Sequence, residues 1–285
     1  MKILDDVLGE LSLDAFLQKY FHHFPLSVPH SASDYRKYLN WSVIEAILQE
    51  KKSMLRIVKE GRMVQDDAKL SFAEVQDLYR SGHTLVIKNS EKSHQLLKFL
   101  ARQFSDYFFA PVDIQVFCSP PHTHGFGWHY DVEDVFIFQT EGMKKFSLRQ
   151  NTIHPHPTTF STPKDLGYEN EKSELYIETT LLAGDWLYIP AGWWHRAWTT
   201  DEGSMHISLG VMSKAAVDIL PILAKELAQN SFWRTRLPLH QRFASKEEEV
   251  AFYQEGMQEL SKDLVRKLTE KQSIDELLTQ LRQHF

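Results

Sequence analysis

Between residues 111 and 213 this chain passes through eight short segments of alternating apolar and polar character. Gly, Pro and Asn recur between them, and that pattern suggests a closed or double-sheet β architecture such as a jelly roll. The spacing predicts strands at 113–118, 127–131, 134–140, 144–150, 175–181, 185–189, 195–200 and 204–211. Helical periodicity surrounds them. Leu13, Phe16, Leu17 and Tyr20 mark a short amphipathic helix over 11–20, which Phe24-Pro25-Leu26 ends; further helices are expected at 42–50, 71–81 and 94–104. A buried strand at 84–87 interrupts them, bounded by Gly82 and Asn89. After Lys214 the helical period returns through Leu220, Leu223 and Leu227, then Leu260, Leu264, Leu268, Leu277, Leu278 and Leu281, with 232–238 as the divider. The class is α+β with a mainly β core. Two regions are expected: 1–213, made of a helical part at 10–110 and the β core at 111–213, and a helical region at 214–285 that can form a dimer interface.

Composition narrows the function. The 285 residues carry a formal charge of −6, which lacks the basic footprint needed to hold nucleic acid through its phosphates. No apolar run reaches the roughly 18 residues of a membrane span, and the acidic start Met1-Lys2-Ile3-Leu4-Asp5-Asp6 is unlike a secretory signal. The single cysteine, Cys118, has no partner for an internal disulfide and fits a reducing compartment. A cytoplasmic address is expected.

The chemistry gathers in Gly127-Trp128-His129-Tyr130-Asp131, answered 66 positions later (195 − 129) by Gly192-Trp193-Trp194-His195. On a strand, His129 and Asp131 point to the same face, and His195 completes a set of two imidazoles and one carboxylate. Such a triangular set leaves three positions of an octahedral ion open, an arrangement associated with non-haem Fe(II) oxygenases. His122 and His124, in Pro120-Pro121-His122-Thr123-His124-Gly125, read as loop histidines at the mouth of the site.

Period-two sorting of 144–149 places Lys144 with Phe146 and Leu148 on the apolar face, and Lys145, Ser147 and Arg149 on a solvent face. An interior ammonium calls for an anion, and a bound dicarboxylate would supply one; the alternative is a lysine whose stem packs while its head reaches water. On the 204–211 strand, His206 and Ser208 lie opposite Met205, Ile207 and Leu209, so that its polar face can line a cavity.

With His129, Asp131, Lys144 and His195 in place, the chain resembles the Jumonji-C-type, cupin-fold Fe(II)/2-oxoglutarate oxygenases, in particular the ribosomal-oxygenase-like branch. The motifs that carry this are His129-Tyr130-Asp131-x-x-Asp134-Val135-Phe136-x-x-Gln139-x-x-Gly142-x-Lys144 and Gly184-Asp185-Trp186-Leu187-Tyr188-Ile189-Pro190-x-Gly192-Trp193-Trp194-His195. The resemblance spans about residues 10–213. It implies a double-stranded β-helix with Fe(II) held by His129, Asp131 and His195. Lys144, 15 positions after His129 (144 − 129), would bind the distal carboxylate of 2-oxoglutarate, with His206 and Ser208 as further cosubstrate-side residues. The implied reaction consumes O2 and 2-oxoglutarate, releases succinate and CO2, and hydroxylates a side chain of a protein or peptide. A small-molecule substrate and a non-catalytic metal-binding cupin are the other readings. Two departures stand out: Phe146 replaces the tryptophan common two positions after the lysine, and only about 70 residues follow the β core, short for the dimerisation and winged-helix regions of the ribosomal oxygenases. Specificity is expected to lie in loops such as 160–172.

Overall fold

The architecture is that of a computed structural model describing residues 2–152, 174–237, 239 and 242–283. The loop at 160–172 lies outside the described residues. The chain divides into two compact units, Met1–Ser213 and Lys214–Phe285.

Among the described residues the first unit holds ten strands: β1 (Leu26–Val28), β2 (Met54–Lys59), β3 (Arg62–Gln65), β4 (Thr84–Lys88), β5 (Val112–Ser119), β6 (Asp134–Arg149), β7 (Leu175–Leu182), β8 (Trp186–Ile189), β9 (Trp194–Trp198) and β10 (Ser204–Val211). Eight run in the order β1-β8-β6-β10-β5-β4-β2-β3, while β7 and β9 pair with the far half of β6. Every pairing is antiparallel. The expected α+β class with a mainly β core and flanking helices is borne out.

Alternation along the strands separates two environments. On β5, Ile114, Val116 and Cys118 face a helical layer formed by α1 (Lys2–Val7), α2 (Leu13–Lys19), α3 (Trp41–Glu50), α4 (Phe72–Arg80) and α5 (Gln95–Phe108), and Met205, Ile207, Leu209 and Val211 do the same on β10. Phe136 and Phe138 of β6 join them, Phe136 packing edge-on against Phe104 with ring centroids 4.9 Å apart. Val135 and Ile137, one residue out of step, belong to a second apolar cluster with Phe146, Leu148, Leu187 and Ile189. A strand covered on both faces reads as a continuous hydrophobic run, which is why Val135-Phe136-Ile137-Phe138 shows no polar member. The residues left over on β5 and β10, Gln115, Phe117, His206 and Ser208, turn into a cavity.

Three expectations are corrected. The strands at 134–140 and 144–150 are one 16-residue strand. Thr140, at their junction, is a bulge: pairing with β10 slips between Met205 and His206, whose partners are Glu141 and Gln139, and Thr140 Oγ1 donates to the Met205 carbonyl at 3.0 Å. There β6 leaves β8 and β10 and goes on with β7 and β9. The strand at 127–131 is reduced to an isolated bridge, His129 to His195, beside which Trp128 and Tyr130 bury themselves against Trp194. Finally, Ser147 is fully buried and donates to Glu178 at 3.1 Å, so the face of β6 expected to meet solvent is partly covered.

The second unit contains α6 (Ile219–Leu227), α7 (Lys246–Thr269) and α8 (Lys271–Gln283), with Ile222, Leu223, Leu227 and Leu277 as its buried cluster. No residue of α7 is buried. Among the described residues no helix is long and apolar enough to cross a membrane.

Candidate metal centre and its cavity

The segment carrying His129 and the start of β9 are joined by reciprocal backbone bonds. His195 N–H donates to the His129 carbonyl at 2.8 Å, and His129 N–H returns a bond at 3.1 Å. Gly192, at φ +82°, donates to the Asp131 carbonyl at 2.9 Å. Segments 66 positions apart (195 − 129) are thereby held side by side.

Both imidazoles are then oriented by main chain. His129 Nδ1 lies 2.8 Å from the Gly127 carbonyl and His195 Nδ1 lies 3.0 Å from that of Trp193. A carbonyl only accepts, so each Nδ1 carries the hydrogen and each Nε2 presents a lone pair. One ligand atom from each of His129, Asp131 and His195 fits within 4.8 Å of the others, and His195 Nε2 stands 3.4 Å from Asp131 Oδ2. Burial and the neighbouring His129 pull His195 down to about 4, so at neutral pH a proton does not fill the gap between these acceptors. Converging imidazole lone pairs and a carboxylate fit a cation.

The cavity beside them encloses about 370 Å³ and draws on both halves of β6. Lys144 is 2% exposed; its Nζ donates to Ser119 Oγ at 2.9 Å and stands 5.4 Å from the Phe117 ring centroid. Burial pulls its ammonium down to about 7. His206 is 3% exposed and stacks on Phe117 with centroids 4.7 Å apart, and its Nδ1 is buried without a hydrogen-bond partner. Burial, with the Lys144 charge, holds this imidazole well below the usual histidine range. Ser208 also lines the cavity. His122 and His124 are exposed and stand apart from the three-residue group. His122 Nε2 instead faces Asp201 at 3.7 Å.

Sequence reasoning missed Arg56, Lys88, Gln115, Phe117, Ser119 and Glu133. The β5 residues were recoverable, since Gln115, Phe117 and Ser119 alternate with the apolar Ile114, Val116 and Cys118. Glu133 was not: its carboxyl fills the space over Gly210, where an added Cβ would come within 2.3 Å of it, and only the tertiary fold brings those two together. Burial and the nearby Asp113 push Glu133 well above the usual carboxylate range.

An antiparallel two-sheet barrel with a His-Asp-His group at its mouth and a buried lysine inside defines a cupin-type metal-site fold. Residues 87–219 match the family model of the JmjC domain. The bifunctional lysine-specific demethylase and histidyl-hydroxylase NO66 of Drosophila yakuba is 25% identical over 308 residues, covering 100% of this chain and 44% of that protein. This chain thus spans less than half the length of that relative. Among solved structures, E. coli ycfD superposes with a TM-score of 0.70 at 17% identity, covering 95% of this chain and 71% of that one. YcfD, a ribosomal oxygenase from Escherichia coli in complex with cobalt and 2-oxoglutarate, superposes with a TM-score of 0.68 at 17% identity, covering 96% and 71%. At that identity the likeness is one of fold, and the expected double-stranded β-helix is borne out.

Proposed function

We propose that this chain is an Fe(II)- and 2-oxoglutarate-dependent oxygenase that hydroxylates a side chain of a protein or peptide. The observation carrying this reading is the joint presence, around one cavity, of a facial two-histidine, one-carboxylate donor set and a buried lysine. His129, Asp131 and His195 would hold Fe(II). When bound, the metal and 2-oxoglutarate supply the oxidation of a C–H bond by O2, with succinate and CO2 as co-products. The protein orients. Its carbonyl acceptors lock both imidazole tautomers, and the Lys144 ammonium would fix the distal carboxylate of the cosubstrate through a charge-assisted bond. Phe117, Phe146, Val135 and Ile137 exclude water from the same cavity. The protein-directed hydroxylation named for NO66 and the ribosomal-oxygenase name of YcfD support a macromolecular substrate.

The region 1–213 is read as the oxygenase domain and 214–285 as a surface for a second copy of the chain. A cytoplasmic address is supported by the single cysteine, Cys118, which has no partner for an internal disulfide.

The test is succinate formation by protein supplied with Fe(II), ascorbate and 2-oxoglutarate, beside mass spectrometry of lysate proteins for the gain of one oxygen. Succinate should depend on both metal and substrate. His129→Ala or Asp131→Ala should abolish turnover and metal binding. Absence of succinate with every protein fraction and metabolite pool would overturn the reading in favour of a non-catalytic cupin.

A further inference from the structure

The outer face of the sheet formed by β6, β7 and β9 gathers cations around one indole. Successive residues of a strand point to opposite faces, so Arg196 and Trp198 of β9 turn away from the cavity that receives His195, as do Lys145 and Arg149 of β6 beside them. The Arg149 guanidinium carbon lies 4.3 Å and that of Arg196 4.8 Å from the centroid of the Trp128 ring, and Arg196 also lies 5.3 Å from that of Trp198. Arg196 is exposed, and its guanidinium has no hydrogen bond or ion pair among the described residues; nor has the Lys145 ammonium. Contact with the faces of two rings restrains the guanidinium plane and leaves its N–H edge to an anion. Glu178 shares this face but lies two strands away, across Ser147, whose hydroxyl it accepts at 3.1 Å. We propose that Arg196, with Lys145 and Arg149 beside it, docks an acidic stretch of the polypeptide on which the metal site acts.

Placement and charge both favour that occupant. Trp128 precedes His129 and Arg196 follows His195, the two imidazoles joined through their backbone bridge. Residues 124–129 meet β9 through isolated bridges alone, so among the described residues this segment is an edge of the sheet. A chain crossing that edge passes from the Arg196 face to the metal, and each extended residue carries it about 3.4 Å. A nucleic-acid strand fits less well, because it needs cations along a track of phosphates, whereas Glu178 flanks the patch on one side and the exposed Asp201 and Glu202 follow β9. One or two carboxylates match the charge present, and a guanidinium takes a carboxylate through two parallel N–H bonds.

The probe is a fluorescein-labelled hexaglutamate peptide, titrated with the full chain by anisotropy beside hexaglutamine and hexauridylate. Hexaglutamate should bind most tightly, and more weakly as salt rises. Arg196→Gln should weaken it roughly fivefold, and Arg196→Lys, which keeps the charge but not the planar fork, should weaken it less. Lys145→Gln should also weaken it and serves if the Arg196 variants do not fold. Unchanged binding by the glutamine variants, equal binding of hexaglutamine, or tighter binding of hexauridylate overturns the proposal. Assigning the acidic stretch to the substrate rests on the oxygenase reading above, and a second measurement separates the two. Lysate residues that gain an oxygen should have acidic neighbours within about six extended positions, and Arg196→Gln should lose those sites. Succinate formed with oxidised sites that lack acidic neighbours overturns the docking assignment alone. Absence of succinate overturns the oxygenase reading, and the docking assignment with it.

Discussion

Lys144 is 2% exposed with a neutral hydroxyl as its hydrogen-bond partner, and Cys118 and His206 are titratable groups close enough to interact with its charge. Its ammonium is pulled down to about 7 by burial, against about 10.4 in an unfolded chain. Between those two values the unfolded state holds a proton that the folded state does not, so the folded state gains stability as pH rises through that window. Below about 7 both states are protonated and the full cost of burying the charge remains. Lys144→Met should therefore raise the thermal midpoint of the ligand-free protein by several degrees at pH 6.5 and by less at pH 9.5. The same variant should bind 2-oxoglutarate more weakly. Wild-type affinity for 2-oxoglutarate should be highest below about 7 and fall above it, because the carboxylate needs the ammonium. Thermal melts at the two pH values check the first part; a larger stabilisation at the higher pH would contradict the burial argument. Such a residue is kept at a cost to stability, as is common where a site must bind charge.

At the scale of elements, β6 carries the site because it serves two sheets. Its bend is set by Gly142, at φ +64°, where an added Cβ would lie 1.9 Å from the Gly203 carbonyl oxygen. Gly82, at φ +86°, has nothing within 4 Å of its own added Cβ. Both positions impose left-handed strain on alanine, but only Gly142 adds a collision with backbone. Gly82→Ala should cost about 1 kcal/mol, and Gly142→Ala about 3 kcal/mol or more. The second should also weaken 2-oxoglutarate binding, since Lys144 follows two residues later. Urea denaturation of both variants reads the difference; equal losses would mean that the bend is not constrained by Gly203. This bend also explains what the sequence could and could not reveal. Alternation along 113–118 and 204–211 was legible because it depends on neighbours along one strand, whereas His129, Asp131 and His195 were legible from their residue types and flanking motifs, although 127–131 forms no strand. The fusion of 134–140 with 144–150 was not legible, because Glu141-Gly142 reads as a turn until the Met205–His206 register is known. The β2–β3 hairpin escaped too: all four residues of β3 are exposed, leaving no apolar period to detect. The stacking of His206 on Phe117 comes from cross-strand pairing of β10 with β5, which no single segment encodes.

At the scale of the whole molecule, the second unit presents more apolar surface than its small core requires. Val250, Met257 and Leu268 of α7 are 52%, 48% and 45% exposed. Their separations of seven (257 − 250) and eleven (268 − 257) place them along one face of the helix. Ile222, Leu223, Leu227 and Leu277 make the buried cluster, against which Leu264 of α7 packs; Leu264 follows Val250 by fourteen residues (264 − 250) and shares its face, so that face is covered at Leu264 while Val250, Met257 and Leu268 stay exposed. An exposed apolar stripe on a helix is a common basis for self-association through a two-fold axis. Met257→Glu combined with Leu268→Glu should convert a two-chain species into a single chain in sedimentation velocity, with helical content retained. Metal binding should be unchanged, since His129, Asp131 and His195 belong to the other compact unit. If the wild-type chain sediments as one copy at high protein concentration, the stripe serves another partner or none, and the self-association reading of 214–285 is lost. If the double variant sediments as two copies, the interface lies elsewhere on the molecule, and the exposed α7 residues are ordinary surface.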